Sequence, residues 1–233
     1  MIEELLPGEV ACAESFDDPP EAVLLPEEEP EVARAVDKRR REFTTGRHCA
    51  RLALAKLSVP PVPLPRGERG APVWPEGIAG SITHCAGYRG AVAARTAEVR
   101  SVGIDAEPNG PLPEGVLDAV SLPEERDWIG ALDPGATGVH WDRLLFSAKE
   151  SVYKAWYPLA RRFLGFAEAR ITVDPRAGAF TARLLVPGPV VDGAPLTGFT
   201  GRWLVRGGLV LTAIALPAAA NNNDQEMRTP DNS

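Results

Sequence analysis

Long apolar runs are missing from this chain. No window holds the roughly 18 apolar residues a membrane-spanning helix needs, and the opening Met1-Ile2-Glu3-Glu4 has neither a cationic stretch nor an apolar one behind it. A cytoplasmic protein is expected. Cysteine is scarce too: Cys12, Cys49 and Cys85 are odd in number and scattered, which excludes a disulfide framework and the paired spacing of a zinc site. Cys85 stands next to His84 but lacks the further ligands a metal would need, so a half-buried thiol is expected there. Aromatics make up only 6% of the residues, so the core must be mostly aliphatic. Positive charge is also short. The 25 Lys and Arg against 32 Asp and Glu leave a net −7, which argues against general nucleic-acid binding and leaves room only for a local cationic pocket.

What is present is ordinary globular material: 233 residues, 44% hydrophobic and 24% charged, enough for one large domain or two small ones. Residues 1 to about 28 are acidic and punctuated by proline, and read as loop and helix lead-in. From Glu31 to Leu57 the apolar spacing predicts one long helix or two joined ones, carrying Lys38, Arg39, Arg40, Arg41, Arg47 and Arg51. Such a run is either a solvated face or a clamp in which guanidinium forks grip phosphate. A proline-rich loop over 58–77 holds Arg66-Gly67-Glu68-Arg69-Gly70, and three strand-like segments follow at Ile78–Thr83, Gly90–Arg95 and Arg100–Glu107. The first of them ends on Ser81, Thr83 and His84.

Pro108-Asn109-Gly110-Pro111 marks a turn and a boundary. Beyond it lie short helical pieces at Glu114–Val120 and Pro123–Leu132, a Gly/Pro loop over 133–138, and a helix from Trp141 that should stop near Pro158. Further strands are expected at Ala169–Val173, Phe180–Leu185, Phe199–Val205 and Leu209–Leu216. Each half thus has a long helix with three or four strands. The expected fold is α+β: two similar α/β halves, 1–108 and 109–217, each a long helix on a mainly antiparallel sheet in a pseudo-twofold arrangement, with the active site where they meet and a disordered tail over 218–233.

Two stretches carry chemistry. On the Trp141 helix, Arg143, Ser147, Glu150 and Lys154 form a polar face opposite Leu145, Ala148, Val152, Ala155, Trp156 and Leu159, with Lys149 on the flank. Alone, Glu150 and Lys154 make an i,i+4 ion pair worth roughly 0.2–0.5 kcal/mol. In Val102-Gly103-Ile104-Asp105-Ala106-Glu107, period 2 places Asp105 and Glu107 on one face, about 7 Å apart at roughly 3.3 Å per residue. Alone, they describe a solvated strand end. Together with Glu150, the lysines and the arginine-rich helix, they describe a Mg²⁺ and polyphosphate site.

Val102-Gly103-Ile104-Asp105-x-Glu107, followed some forty residues later by Trp141-Asp142-x(3)-Phe146-Ser147-Ala148-Lys149-Glu150-Ser151-Val152-Tyr153-Lys154-Ala155-Trp156, resembles the paired signatures of the Sfp-type 4′-phosphopantetheinyl transferases. Lys38-Arg39-Arg40-x-Glu42-Phe43-x(3)-Arg47-x-Cys49-Ala50-Arg51 and Gly80-Ser81-Ile82-Thr83-His84-Cys85 are similar to actinobacterial members in particular, so that the likeness covers nearly all of residues 28–217.

The resemblance implies transfer of the phosphopantetheine arm of coenzyme A to a serine of acyl or peptidyl carrier proteins, releasing 3′,5′-ADP. It implies that Asp105, Glu107 and Glu150 hold Mg²⁺, with Mn²⁺ as a substitute, on the coenzyme A diphosphate. Glu150 would be the general base, directly or through a bound water, while Lys154 stabilises the attacked phosphate and Lys149 assists. Arg39, Arg47 and His84 match contacts to the 3′-phosphate and ribose; Arg66, Arg69, Ser81 and Thr83 are further pocket members; Leu164 and Phe166 wall the pantetheine arm or the carrier groove. Where relatives often carry lysine after the loop glycine, Gly70 is followed by Ala71, and Arg69 is the candidate to replace that contact. The implied partners are coenzyme A and carrier proteins, with no nucleic acid or membrane, and the implied state is a monomer. Two other readings use the same residues: a Mg²⁺-dependent diphosphate hydrolase acting on coenzyme A, and a catalytically silent coenzyme A or carrier-protein binding module.

Overall fold

The computed structural model describes residues 1–132 and 138–219. The first lobe is a three-stranded antiparallel sheet backed by one helix. Strand β1 (Ala11–Ser15) precedes helix α1 (Asp37–Lys56), then β2 (Ile78–Cys85) and β3 (Tyr88–Arg95) form a hairpin about Ala86-Gly87, where Gly87 takes a φ of 75°. The sheet order is β1-β3-β2, and β3 is buried along nearly its whole length. Cys49, Ala50, Ala53 and Leu54 of α1 pack against Ala91 and Ala93 of β3, small residues on both sides that let helix and sheet approach closely. β1 lies in a segment expected to be loop. Its Ala-Cys-Ala-Glu-Ser has almost no β-branched or aromatic content, and it forms because β3 offers an open edge over five paired residues.

Strand β4 (Val99–Pro108) follows β3 in the chain but pairs elsewhere. With β5 (Ala169–Asp174), β6 (Ala179–Leu184), β9 (Gly198–Arg206) and β10 (Leu209–Pro217) it makes a five-stranded antiparallel sheet in the order β4-β10-β9-β6-β5, while β7 (Val190–Val191) and β8 (Ala194–Pro195) form a small separate hairpin. The division at 108 therefore differs from the sheet pairing, because β4 belongs with the second lobe. Its face of Val102, Ile104 and Ala106 joins Tyr88, Val92, Leu209, Leu211 and Ala213 in a core shared by both lobes. That shared core fixes the lobes against each other.

Between β4 and β5 run α2 (Val116–Val120), α3 (Pro123–Ala131) and α4 (Trp141–Ala160). The loop expected over 133–138 lies, except for Gly138, outside the described residues, as does the tail beyond 219. α4 passes Pro158 and ends at Arg161 in the left-handed conformation (φ 51°). A proline in the last turn removes one backbone bond, and Trp156, fully buried, donates Nε1–H to Arg162 O and holds the turn beyond it.

α4 seats unusually close on β4 and β10. A Cβ on Gly103 would stand 2.1 Å from Ser151 O, and Ser101 donates its hydroxyl to Ala155 O at 2.6 Å. Ser147 and Ser151 share Thr212 Oγ1 at 2.9 and 2.5 Å. Ser147, expected on the polar face, lies only about 20° around the helix from Lys154 at 100° per residue, yet it is buried against β10, where its small hydroxyl finds Thr212. Among the described residues no helix is long and apolar enough to cross a membrane.

Candidate active site

Because Gly103 admits α4, the next residue on the same face of β4, Asp105, meets Lys154. Lys154 Nζ donates to Asp105 Oδ1 at 2.8 Å and to Ile104 O at 3.0 Å. The expected Glu150–Lys154 pair is thus replaced by a pair across the helix–strand contact. Asp105 is 5% exposed, and its Oδ2 is buried without a hydrogen-bond partner among the described residues. Glu107, two residues on, accepts from Arg143 Nη1 at 3.0 Å. Glu150 makes no hydrogen bond or ion pair with a described residue. Burial, and then the charge of Asp105, push the carboxyls of Glu107 and Glu150 above the usual range. Three acids therefore share one electrostatic field in which a cation is under-supplied.

The turn after β4 is stapled to the start of α4, which brings Glu107 to Arg143. His140 N–H donates to Asn109 Oδ1 at 3.1 Å, Leu112 N–H to Asp142 Oδ2 at 2.7 Å, and Arg143 reaches Gly110 O and Pro111 O. Arg143, which the sequence shows only as a member of the polar face two helical turns before Glu150, has its place at the site through Glu107.

A second cluster forms on α1. Arg39 Nη1 donates to His84 Nε2 at 2.6 Å, and His84 Nδ1 stands 3.4 Å from Glu42. Burial, and then Arg39, push the imidazole down to about 4, so it is neutral and accepts from Arg39. Arg47 lies over the Phe43 ring at 4.2 Å, Arg66 over the same ring at 5.1 Å. Arg47 Nε donates to Leu64 O at 2.7 Å, its Nη groups have no partner among the described residues, and burial lowers its pKa to about 10. Arg39, Arg47, Arg66 and His84 are thus brought together. Arg39 also faces Glu42 at 3.7 Å and Arg66 faces Glu31 at 4.0 Å. Arg40, Arg41 and Arg51 pair with Glu29, Asp18 and the buried Glu28, so half of the cationic run ties down the N-terminal segment.

A cavity of about 520 Å³ opens between the loop 67–77 and the last turns of α4, lined by Arg69, Trp74, Ser81, Glu150, Tyr153 and Lys154 among others. Gly80 is required there, since any Cβ would meet the Trp74 indole at 2.4 Å. Arg69 lies away from the arginine cluster, over Phe163 at 5.9 Å. On the other side of Glu150, Leu164, Phe163 and Phe166 line a smaller cavity of about 230 Å³.

Three expected site residues are engaged elsewhere. Lys149 is 3% exposed; its ammonium pairs with Glu125 of α3 at 2.8 Å and donates to Phe166 O and Ala169 O, so it has no donor left for a phosphate. Ser81 accepts Ile104 N–H at 3.1 Å. Thr83 accepts Ala106 N–H at 3.1 Å and gives its only hydroxyl hydrogen to Asp105 Oδ1 at 3.3 Å, which removes it as a phosphate donor.

Comparison with known proteins converges on one family. Residues 27–94 match the 4′-phosphopantetheinyl transferase N-terminal domain, and residues 101–191, starting within β4, match the 4′-phosphopantetheinyl transferase superfamily. The chain is 58% identical to the 4′-phosphopantetheinyl transferase Svp of Streptomyces mobaraensis, over 97% of this chain and 93% of that one. It is 54% identical to PptT of Mycobacterium tuberculosis (93% and 98% covered) and 54% identical to Npt of Nocardia iowensis (92% and 99% covered). With this breadth of match, and with the carboxylate edge and the arginine cluster placed on either side of the lobe boundary, the chain belongs to the 4′-phosphopantetheinyl transferase superfamily, enzymes that move the phosphopantetheine arm of coenzyme A onto carrier proteins.

Proposed function

We propose that this chain acts on acyl or peptidyl carrier proteins as a cytoplasmic, Mg²⁺-dependent monomer that releases 3′,5′-ADP, with neither nucleic acid nor membrane as a partner. The observation that carries the reading is Asp105: one oxygen saturated by Lys154 and Thr83, the other buried and bare. A bare carboxylate oxygen beside the partly buried acids Glu107 and Glu150 fits a hard divalent cation. Among the described residues no three His, Cys, Asp or Glu side chains close a cage by themselves. For Mg²⁺, water and substrate phosphates would complete the shell that carboxylates begin. Asp105, Glu107 and Glu150 would hold it, and when bound it neutralises the coenzyme A diphosphate.

The remaining work falls to the protein. The carrier serine Oγ attacks the phosphorus that bears the pantetheine arm, the bond from that phosphorus to the bridging oxygen breaks, and 3′,5′-ADP departs with the bridge. Glu150, unpaired and with a raised pKa, accepts the serine proton. Lys154 uses two of its three donors on Asp105 and Ile104, leaving one for the transferring phosphoryl oxygen. Arg39, Arg47 and Arg66, with neutral His84 aligning Arg39, grip the 3′-phosphate. Leu164 and its neighbours receive the pantetheine arm.

The test is the intact mass of an apo carrier protein incubated with this chain, coenzyme A and Mg²⁺, with EDTA as control. A gain of one phosphopantetheine that EDTA abolishes supports the reading. Metal-dependent breakdown of coenzyme A without a mass gain would make the chain a hydrolase instead, and neither change would leave a binding module.

A further inference from the structure

β2 and β4 are the edges of two different sheets, and they lie side by side without a backbone ladder. Hydroxyls stand in for the ladder. Ser81 Oγ and Thr83 Oγ1, alternate residues of β2, accept the N–H groups of Ile104 and Ala106, alternate residues of β4, each at 3.1 Å. These N–H groups point away from β10 and would otherwise be buried and unpaired. Thr83, 2% exposed, does one thing more: its O–H donates to Asp105 Oδ1, the oxygen that Lys154 also holds. Two donors from different lobes on one oxygen stop the carboxylate from rotating, which gives the bare Oδ2 a fixed direction.

We propose that Thr83 is a positioning residue, a hydroxyl of the first lobe that orients the Asp105 carboxylate of the second for a divalent cation. This rests on the reading of Asp105 as a cation ligand given above. Groups that orient a ligand from behind typically carry about 10- to 100-fold of metal affinity. Threonine suits the role, because its branched Cβ locks χ1 and with it the direction of the O–H.

The experiment measures Mn²⁺ binding by electron paramagnetic resonance on the full chain with coenzyme A and no carrier protein, for wild type, Asp105→Ala, Thr83→Val and Thr83→Ser. Expected are binding by wild type, loss in Asp105→Ala, weakening by about 10- to 100-fold in Thr83→Val, and affinity within a few-fold of wild type in Thr83→Ser. The Mg²⁺ concentration for half-maximal transfer should move with Thr83→Val by the same factor while the KM for coenzyme A stays in place; a merely structural role would lower the rate and leave the metal dependence alone. Wild-type affinity in Thr83→Val beside lost binding in Asp105→Ala overturns the inference. Equal binding by wild type and Asp105→Ala, or no binding by wild type, overturns the underlying reading of Asp105 instead. Should Thr83→Val fail to fold, Thr83→Ala against Thr83→Ser is read in its place: affinity lost with Ala and kept with Ser supports the proposal, and equal affinities overturn it.

Discussion

Lys149 and Lys154 stand five residues apart on α4, and the structure gives them opposite surroundings. Five residues at 100° each turn the side chain through about 140°, from one wall of the helix to another. Lys154 emerges beside β4, touches Asp105, and lines a cavity with a donor to spare. Lys149 turns toward α3 and β5, where Glu125 and two carbonyls consume it; burial pulls its pKa down against the opposing pull of Glu125. Glu125 in turn accepts Leu122 N–H and Ile171 N–H, so this buried pair is fully satisfied. One lysine is placed to act on a ligand, while its neighbour joins the helix to the second sheet.

That contrast can be broken in order of size. Lys149→Met strands Glu125 in the interior and should cost about 3–5 kcal/mol of stability, read by chemical denaturation, while transfer per folded molecule stays near wild type. Lys154→Met should weigh the other way, with a loss of about 100-fold in kcat and a smaller fall in the denaturation midpoint than Lys149→Met, since Asp105 keeps Thr83 as a donor and Lys154 is itself partly exposed; matching effects from the two variants would erase the distinction. Gly103→Ala forces β4 off α4 and should cost about 1–3 kcal/mol, with transfer falling more than the stability loss explains because Asp105 and Lys154 are parted.

The smallest effect concerns His84. Its folded pKa of about 4 lies below the ordinary 6.5, so the unfolded chain takes up the proton first. This group's stabilisation is complete above about pH 6.5 and declines as pH falls toward 4. Melting temperatures between pH 7 and pH 4.5 should fall less steeply for His84→Gln than for wild type, and parallel curves would contradict the buried neutral imidazole.

Much of this was legible in the chain. Seven strands and both long helices follow from periodicity, and the alternation around Asp105 put both carboxylates on one face. β1 was hidden because its residues have no strand character and borrow their structure from the edge of β3. The fate of Lys149 was hidden because Glu125 comes from a different helix, a long-range pair with no local trace. Thr83 was read as a pocket donor for the same reason: only the meeting of β2 and β4 shows where its hydrogen goes. The arginine run divides by long-range partners that the sequence does not show: Arg39 and Arg47 gather with Arg66 and His84, while Arg40, Arg41 and Arg51 tie down the N-terminal segment through Glu29, Asp18 and Glu28.

The central claim is that transfer depends on the acids gathered where α4 meets β4. Its most direct test is the single-turnover rate of phosphopantetheine transfer by Glu150→Gln at saturating coenzyme A and Mg²⁺, measured beside the denaturation midpoint. The account predicts a rate at least about 100-fold below wild type with an unchanged or raised midpoint, since Glu150 is an unpaired, partly buried carboxylate. A near-normal rate would remove Glu150 from the chemistry and contradict it.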